Sequence, residues 1–157
     1  MSKRGFTLVE VLVVIAVIGM LASIILVSLG PARAKARDAR RVADVRQMST
    51  ALEVEVASNN PEALVGCAGA DARVDTCAGP GIAAELANFA DPSAGTAGIA
   101  CALGVTTTCQ YSISKADGAP EATTGDYQIC FLLEQGAGSL GAGLNAIETN
   151  GVFTTCQ

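Results

Sequence analysis

The sequence predicts an α+β fold in which one long N-terminal helix precedes a small C-terminal antiparallel sheet. The helix is indicated by an apolar run, 6–29, that continues into an alanine- and arginine-rich segment ending at about residue 58. The sheet is indicated by three segments that alternate apolar and polar residues and contain β-branched or aromatic side chains. These segments are 106–114, 127–134 and 151–156. We expect the sheet to bury one face against the amphipathic part of the helix.

The first part of the helix, 6–30, is long enough to cross a membrane. The apolar run 6–29 contains one charged residue, Glu10, and as a helix it would measure roughly 36 Å, against about 30 Å for a bilayer hydrocarbon core. A secretory signal peptide has a shorter apolar core followed by a small-residue cleavage site. Here Gly30, Pro31 and a basic segment follow instead. We therefore expect a retained transmembrane helix, loosened at Pro31 because proline has no N–H to donate.

The second part of the helix, 31–58, is predicted to be amphipathic. Small and apolar residues recur in it every three or four positions, which is the spacing of one helix face. These residues are Ala39, Val42, Val45, Ser49, Leu52 and Val56. Six basic residues lie between 33 and 46, and their partner could be anionic lipid, DNA or neighbouring copies of the chain. We favour neighbouring copies, because the rest of the chain is acidic.

Residues 59–157 are predicted to form one disulfide-stabilised globular head. From residue 47 onward, two basic residues stand against twelve acidic ones, an excess of ten negative charges. Because phosphate contacts need lysine and arginine, we expect no direct nucleic-acid binding by the head. Between 59 and 106 the sequence predicts a long connection with one short helix near 82–89.

All six cysteines follow the apolar run, and their even number predicts disulfides in an oxidising compartment. They are Cys67, Cys77, Cys101, Cys109, Cys130 and Cys156. Their order along the chain suggests pairs between neighbours, 67 with 77, 101 with 109 and 130 with 156, and other pairings stay open at this point. A metal site is the weaker interpretation, because the chain has no histidine and no Cys-x-x-Cys pair. We expect no metal and no cofactor.

The compartment of the head is indicated by two conflicting signals. The positive-inside rule counts two basic residues before the apolar run and six after it, which would place the head in the cytoplasm. The cysteines indicate an exported head. We favour the cysteines, because a dedicated export pathway can override the charge bias.

The N-terminus contains the most specific pattern in the chain. A short basic leader, MSKRG, precedes FTLVE and the unbroken apolar run. This arrangement resembles the signal of type IV pilins and of the related pseudopilins of type II secretion systems. The resemblance implies a type IV pilin-like, lollipop-shaped fold, removal of the leader 1–5 by a prepilin peptidase that cuts between Gly5 and Phe6, and N-methylation of Phe6. It covers residues 1–58, and beyond them it is one of architecture.

Glu10 is the fifth residue of the mature chain that this resemblance implies. A carboxylate within a membrane helix costs roughly 2.5 to 3.5 kcal/mol on insertion scales and needs a partner, and no basic residue lies within the apolar run. The expected partner is the amino group that cleavage creates at Phe6, on the same chain or on a neighbour. In the alternative interpretation, Glu10 reaches the lipid headgroups at the membrane surface.

The predicted function is that of a structural subunit, the major pilin of a type IV pilus that serves adhesion, motility or DNA uptake. The expected partners are further copies of the chain in a helical filament, the prepilin peptidase and methylase, the inner-membrane assembly platform, and the membrane before assembly. The head would be exported before assembly and extracellular afterwards. A secretion-system pseudopilin is the first alternative, and a monomeric membrane-anchored binding domain is the second.

No pattern in the sequence is typical of an enzyme. The chain has no histidine, the commonest general acid or base, and no combination of nucleophile and base, so we predict no catalytic residue. The segment GAGSLG, 136–141, matches a dinucleotide-binding glycine pattern, but no βαβ unit follows it. We interpret it as a flexible loop and expect the residues after it, from Asn145, to lead into a turn.

Overall fold

A computed structural model of the chain describes residues 5–59, 61–95 and 98–157, with the side chains of 26–28 left out. Lys3 and Arg4 of the predicted leader lie outside the described residues. The chain divides into two compact units. The first ends at Ala34, and the second comprises Lys35–Gln157.

Helix α1 spans Leu8–Asn59, and its residues belong to both units. It continues through Pro31, and the loosening predicted there stays a prediction. The helix is long and apolar enough to cross a membrane by length and composition. In the first unit every described residue up to Ile25 is exposed.

The second unit contains a five-stranded antiparallel sheet with its strands in sequence order. The strands are β1, Ala72–Arg73; β2, Ser112–Ser114; β3, Gln128–Leu133; β4, Gly143–Glu148; and β5, Phe153–Thr154. The longest pairing joins β3 to β4, from Gln128 opposite Glu148 to Leu133 opposite Gly143. Short 3₁₀ helices cover Val74–Thr76, Gly81–Asn88 and Thr149–Gly151. The α+β fold class is confirmed, and the short helix expected near 82–89 is present.

Both faces of the β3–β4 hairpin are buried. On one face Phe131 and Ile147 pack in the main apolar core, to which the helix contributes Val45, Met48 and Leu52. The opposite face forms a second apolar cluster. That cluster comprises Cys101, Cys109, Cys130, Leu132, Ala146 and Cys156. A strand covered on both sides carries apolar residues at consecutive positions, as in the QICFLL sequence of β3.

The predicted strands are confirmed in position, although all three are shorter than expected. Of 106–114 only the last three residues are in β2. Residues 106–109 belong to the loop closed by the Cys101–Cys109 disulfide, and Gln110 forms an isolated bridge with Ala100. The residues from Asn145 lead into a turn at Thr149–Gly151 as expected, but Asn145 itself lies in strand β4, which the sequence did not predict. Ala146 and Ile147 point to opposite faces and are both buried, so β4 lacks the alternation that marks a strand with one exposed face.

The amphipathic face of the helix is confirmed, with one correction. Val45, Ser49 and Leu52 are buried, but Ala39 is exposed. Near Ala39 the buried helix positions are occupied by the charged residues Asp38 and Arg41.

The three disulfides join neighbours in the sequence, as the order of the cysteines suggested. The bonds are Cys67–Cys77, Cys101–Cys109 and Cys130–Cys156. Along the chain the first two close short loops within the long connection between α1 and β2. The third ties the C-terminal segment to the middle of β3.

Gly66 offers a test of how tightly the first disulfide loop is packed. It has a φ of +86°, and an added Cβ would collide with the carbonyl oxygen of Thr76 and lie 3.2 Å from the amide nitrogen of Ala78. We expect Gly66→Ala to lower the free energy of unfolding by about 3 kcal/mol, through the collision and the left-handed backbone together. Urea unfolding of the full chain in detergent micelles measures this.

Gly104→Ala is the matched control. Its φ is +85°, and an added Cβ would meet nothing within 4 Å. We expect a loss of only about 1 kcal/mol from backbone strain. Equal losses in the two variants would contradict the close approach at Gly66.

Candidate functional site

Thr7 and Glu10 form a capping box at the start of α1. The Thr7 amide donates a hydrogen bond of 2.8 Å to Glu10 Oε2, and the Thr7 hydroxyl donates one of 2.7 Å to the same oxygen. The Glu10 amide donates in turn to Thr7 Oγ1 at 3.3 Å. Because the helix begins at Leu8, Thr7 is its N-cap and Glu10 its third residue, the arrangement that satisfies free N–H groups at a helix start.

The capping role of Glu10 is one that the sequence analysis missed. Its signal is present in TLVE, which has the Ser/Thr-x-x-Glu spacing of a capping box. Within the described residues the Glu10 carboxylate accepts its two hydrogen bonds on Oε2, and Oε1 accepts none there. The expected pairing with a Phe6 amine stays a prediction, because Phe6 is still joined to Gly5 through a peptide bond.

The peptide bond between Gly5 and Phe6 lies just outside the helix. Both residues precede Leu8 and are exposed, and Phe6 is 85% exposed. A Cβ at Gly5 would meet nothing within 4 Å. The bond is therefore accessible and free of helical hydrogen bonding, which is what a protease needs in order to bind the backbone in an extended conformation.

The first helical turns present a continuous apolar surface. Every large apolar side chain from Phe6 to Ile25 is at least 52% exposed. A soluble monomer rarely exposes an apolar patch of this extent. Such a surface needs to be covered by lipid or by other apolar helices.

Comparison with known proteins places this N-terminus in a recognised group. Residues 1–26 match a family model described as the prokaryotic N-terminal methylation motif. The chain carries the N-terminal motif of type IV pilins and pseudopilins. It is also 38% identical over 58 residues to the type II secretion system core protein G of Pectobacterium carotovorum subsp. carotovorum, an alignment that covers 37% of each chain. The chain thus spans just over a third of the length of this relative, and no solved structure matches it.

Arg41 is the centre of a buried ion cluster in the second unit. Its guanidinium is fully buried and donates to Asp91 at 2.5 Å, to Asp38 at 2.8 Å and to Glu134 at 2.8 Å. It also donates to the Ser93 hydroxyl. Burial alone would lower the pKa of Arg41, but these hydrogen bonds and ion pairs raise it on balance. The cluster joins the helix to two distant segments of the chain.

Asp38 holds the end of the β3–β4 hairpin through its backbone. Its carboxylate is fully buried and accepts hydrogen bonds from the amides of Glu134, Gln135 and Gly136 at 2.9, 2.7 and 3.0 Å. Three N–H donors and Arg41 together satisfy a carboxylate that would otherwise be costly to bury.

Other basic residues of 33–46 also bind within the chain. Arg37 forms a two-pronged ion pair with Glu134, with both contacts within 2.8 Å. Arg46 lies 5.3 Å from the centre of the Phe153 ring, a cation–π contact. The expectation that the whole basic block contacts neighbouring copies is therefore corrected for these residues and for Arg41, whose partners are internal.

Two tyrosines, each directly before a strand, bind the helix through their hydroxyl groups. Tyr111 donates to Asp44 at 3.0 Å, and the Tyr127 hydroxyl lies 2.9 Å from that of Ser49. Burial raises the pKa of both tyrosines, so they stay neutral hydrogen-bonding groups. These bonds explain why a serine occupies a predicted core position of the helix.

Asp71, Cys130 and Cys156 form a group whose ligand atoms lie within 4.8 Å of one another. Metal ligation by cysteine needs thiolates, whereas these two sulfurs are bonded to each other. The group does not fit a metal ion in this state. No shared sequence motif links the three residues, and only the fold brings them together.

Replacing Arg41 tests the buried cluster. Arg41→Met removes the charge and leaves Asp38 and Asp91 buried without their cation. We expect the free energy of unfolding to fall by about 3 to 5 kcal/mol, the usual cost of breaking a buried ion pair from one side. Urea unfolding of the full chain in detergent micelles gives the value.

Arg40→Met is the control, one residue away on the same helix. Its side chain is 65% exposed and lies 3.6 Å from Asp44, so we expect a loss of no more than about 0.5 kcal/mol. A similar loss in both variants would mean that the buried cluster contributes no more than a surface pair.

Glu134 makes part of the stability depend on pH. The hydrogen bond from Arg37 lowers the pKa of Glu134, and burial raises it. Arg41 lowers it further, so the pKa is about 2, against 4.5 normally. A carboxyl with a lowered folded-state pKa stabilises the fold above its unfolded pKa and loses this effect as pH falls through the folded value. We expect Glu134→Gln to be less stable than wild type at pH 7 and to lose less stability between pH 5 and 2 (about 4.5 down to the folded pKa).

Urea unfolding at a series of pH values measures how the free energy of unfolding changes with pH in wild type and in Glu134→Gln. Glu62→Gln, at an exposed position, should keep the wild-type acid dependence. Parallel acid curves for wild type and Glu134→Gln would contradict the assignment.

Proposed function

We propose that the chain is a subunit of a type IV pilin-like filament in which the apolar helices of many copies form the core. The observation that carries the proposal is the uncovered apolar surface from Phe6 to Ile25, which begins directly after an accessible Gly5–Phe6 bond and carries the methylation motif. Lipid would cover this surface before assembly and other copies would cover it afterwards. Because apolar surface is covered in both states, extraction from the membrane changes the hydrophobic free energy little.

Removal of the leader would create a positively charged amine at Phe6, a partner that the Glu10 carboxylate lacks before cleavage. In this proposal a prepilin peptidase cuts between Gly5 and Phe6, and the same enzyme class methylates the new amine. Glu10 Oε2 accepts the capping bonds of Thr7, which leaves Oε1 for the amine of an incoming subunit. A charge-assisted hydrogen bond in a region without water is strong and directional, so it would set the axial position of each new subunit.

We assign the chain to the major pilin of a type IV pilus, with the head exported and, after assembly, extracellular. Its three disulfides support an oxidising compartment for the head. The partners are further copies of the chain, the prepilin peptidase and the inner-membrane assembly platform.

A pseudopilin of a type II secretion system is the second candidate, and the similarity to a secretion-system core protein G favours it. Deletion of the gene separates the two candidates. Loss of surface filaments supports the pilus, and retention of normally secreted proteins inside the cell supports the pseudopilin.

The pairing of Glu10 can be separated from its capping role by two single substitutions. Glu10→Gln keeps the capping box, since glutamine serves at the third helical position, but removes the negative charge. Thr7→Val removes the N-cap and keeps the charge. We expect Glu10→Gln to reduce the yield of sheared filaments about tenfold or more, the effect of about 1.4 kcal/mol per subunit contact, and Thr7→Val to assemble nearly as wild type.

The measurement is immunoblotting and negative-stain microscopy of sheared material from cells that express each variant in place of the wild-type chain. Mass spectrometry of the membrane fraction controls for leader removal before Phe6. Loss of filaments with Thr7→Val alone would show that Glu10 acts as a capping residue. An uncleaved Met1 terminus and no filaments in wild type would contradict the proposed function and support the monomeric anchor.

A further inference from the structure

We propose that Asp71 accepts the proton released when the Cys130–Cys156 disulfide forms. A carboxylate oxygen of Asp71 and the two sulfurs lie within 4.8 Å of one another. Asp71 Oδ1 is buried and has no hydrogen-bond partner. Among the buried side-chain nitrogens and oxygens of 5–59, 61–95 and 98–157, it is the one atom without a hydrogen-bond partner.

The missing donor of Asp71 is explained by the state of the cysteines. A buried acceptor without a donor is unfavourable and rare in folded proteins. A disulfide carries no hydrogen, so neither sulfur can donate once the bond exists. In the dithiol each cysteine has an S–H group that can donate to an oxygen. The carboxylate is therefore placed to accept a hydrogen bond from the cysteine thiols before oxidation, and the disulfide formed from them offers it none.

Three separate segments bring the reacting groups together. Asp71 lies in the turn before β1 with a φ of +49°, a conformation rare for a residue with a side chain. Across the sheet Arg73 pairs with Ser112, which pairs with Cys130. This register brings the start of β1 near the middle of β3.

The C-terminal segment is held beside these residues by its neighbour in the sequence. The Gln157 amide donates to Gln128 Oε1 at 3.1 Å, and Gln128 Nε2 donates to the Gln157 carbonyl at 3.1 Å. Cys156 thereby reaches Cys130, and the carboxylate of Asp71 lies beside both.

The difference in burial assigns an order to the two cysteines. Cys156 lies outside the strands and is 5% exposed, whereas Cys130 is fully buried in β3. Cys156 would therefore meet the oxidant first, as a thiolate that attacks a disulfide of the thiol–disulfide exchange class. This step forms a mixed disulfide and releases one thiolate of the oxidant, which takes up a proton from solvent.

Cys130 then completes the bond with the help of Asp71. Asp71 takes the proton of the Cys130 thiol as its sulfur attacks Cys156 in the mixed disulfide. The bond between Cys156 and the oxidant breaks, and the second oxidant thiolate leaves and recovers the proton from Asp71. Two electrons pass from the two cysteines to the oxidant. Burial raises the pKa of Asp71, which makes its carboxylate a better base for a thiol than an exposed one.

The test follows each disulfide separately during oxidative refolding. The full chain is reduced and denatured, then refolded in detergent micelles with reduced and oxidised glutathione, and free thiols are alkylated at intervals for peptide mass spectrometry. Asp71→Asn keeps the size of the side chain and tolerates a positive φ. We expect it to slow formation of Cys130–Cys156 about tenfold or more, while the other two disulfides form within about twofold of their wild-type rates.

Glu121→Gln is the matched control, since Glu121 is also an acid with a positive φ, +65°, and is exposed. It should leave all three rates unchanged. Wild-type formation of Cys130–Cys156 in Asp71→Asn would overturn the proposal. Equal slowing of all three disulfides would also overturn it, because that result indicates a general folding defect.

The reverse reaction gives a readout that a folding defect would not produce. By microscopic reversibility a group that accepts the proton during oxidation donates it during reduction. We expect Asp71→Asn to slow reduction of the native Cys130–Cys156 bond by dithiothreitol by a similar factor of about ten. A faster or unchanged reduction would overturn the proposal.

Discussion

The β3–β4 hairpin is buried on both faces, and the rest of the second unit is arranged to cover these two faces. The helix covers one face with Val45, Met48 and Leu52. The other face is covered by cysteines and small apolar side chains. A unit of this size has little apolar volume to spare, and two of its three disulfides lie in that second layer. In this layer the disulfides help to cover the sheet and to hold the chain in place, which a second layer of helices does in larger proteins.

The sequence predicted the parts of the fold whose patterns are local. The apolar run, the amphipathic face and the three strand segments each have a period that a single element explains. Strand β4 was missed because both of its faces are covered, and β1 is too short, at two residues, to have a pattern. The ion cluster of Arg41 and the position of Asp71 depend on residues far apart in the chain. No local period could have predicted them.

Glu10 has one role in the structure, helix capping, and a second in the filament that we propose. Within its own chain it caps the helix with Thr7, so the carboxylate is hydrogen-bonded without any other chain. Its second oxygen, Oε1, accepts no hydrogen bond within the described residues. A residue that looks unfavourable in an apolar helix is thus tolerated in the monomer and available in the proposed filament.

The contact of Asp38 with the hairpin bears on how the surface of this protein can change in evolution. Its carboxylate binds three consecutive amide N–H groups, and every amino acid except proline supplies such a group. The exposed side chain of Gln135 plays no part in that contact. Substitution there can alter the exposed surface at the tip of the hairpin, while the anchor to the helix beneath it is kept.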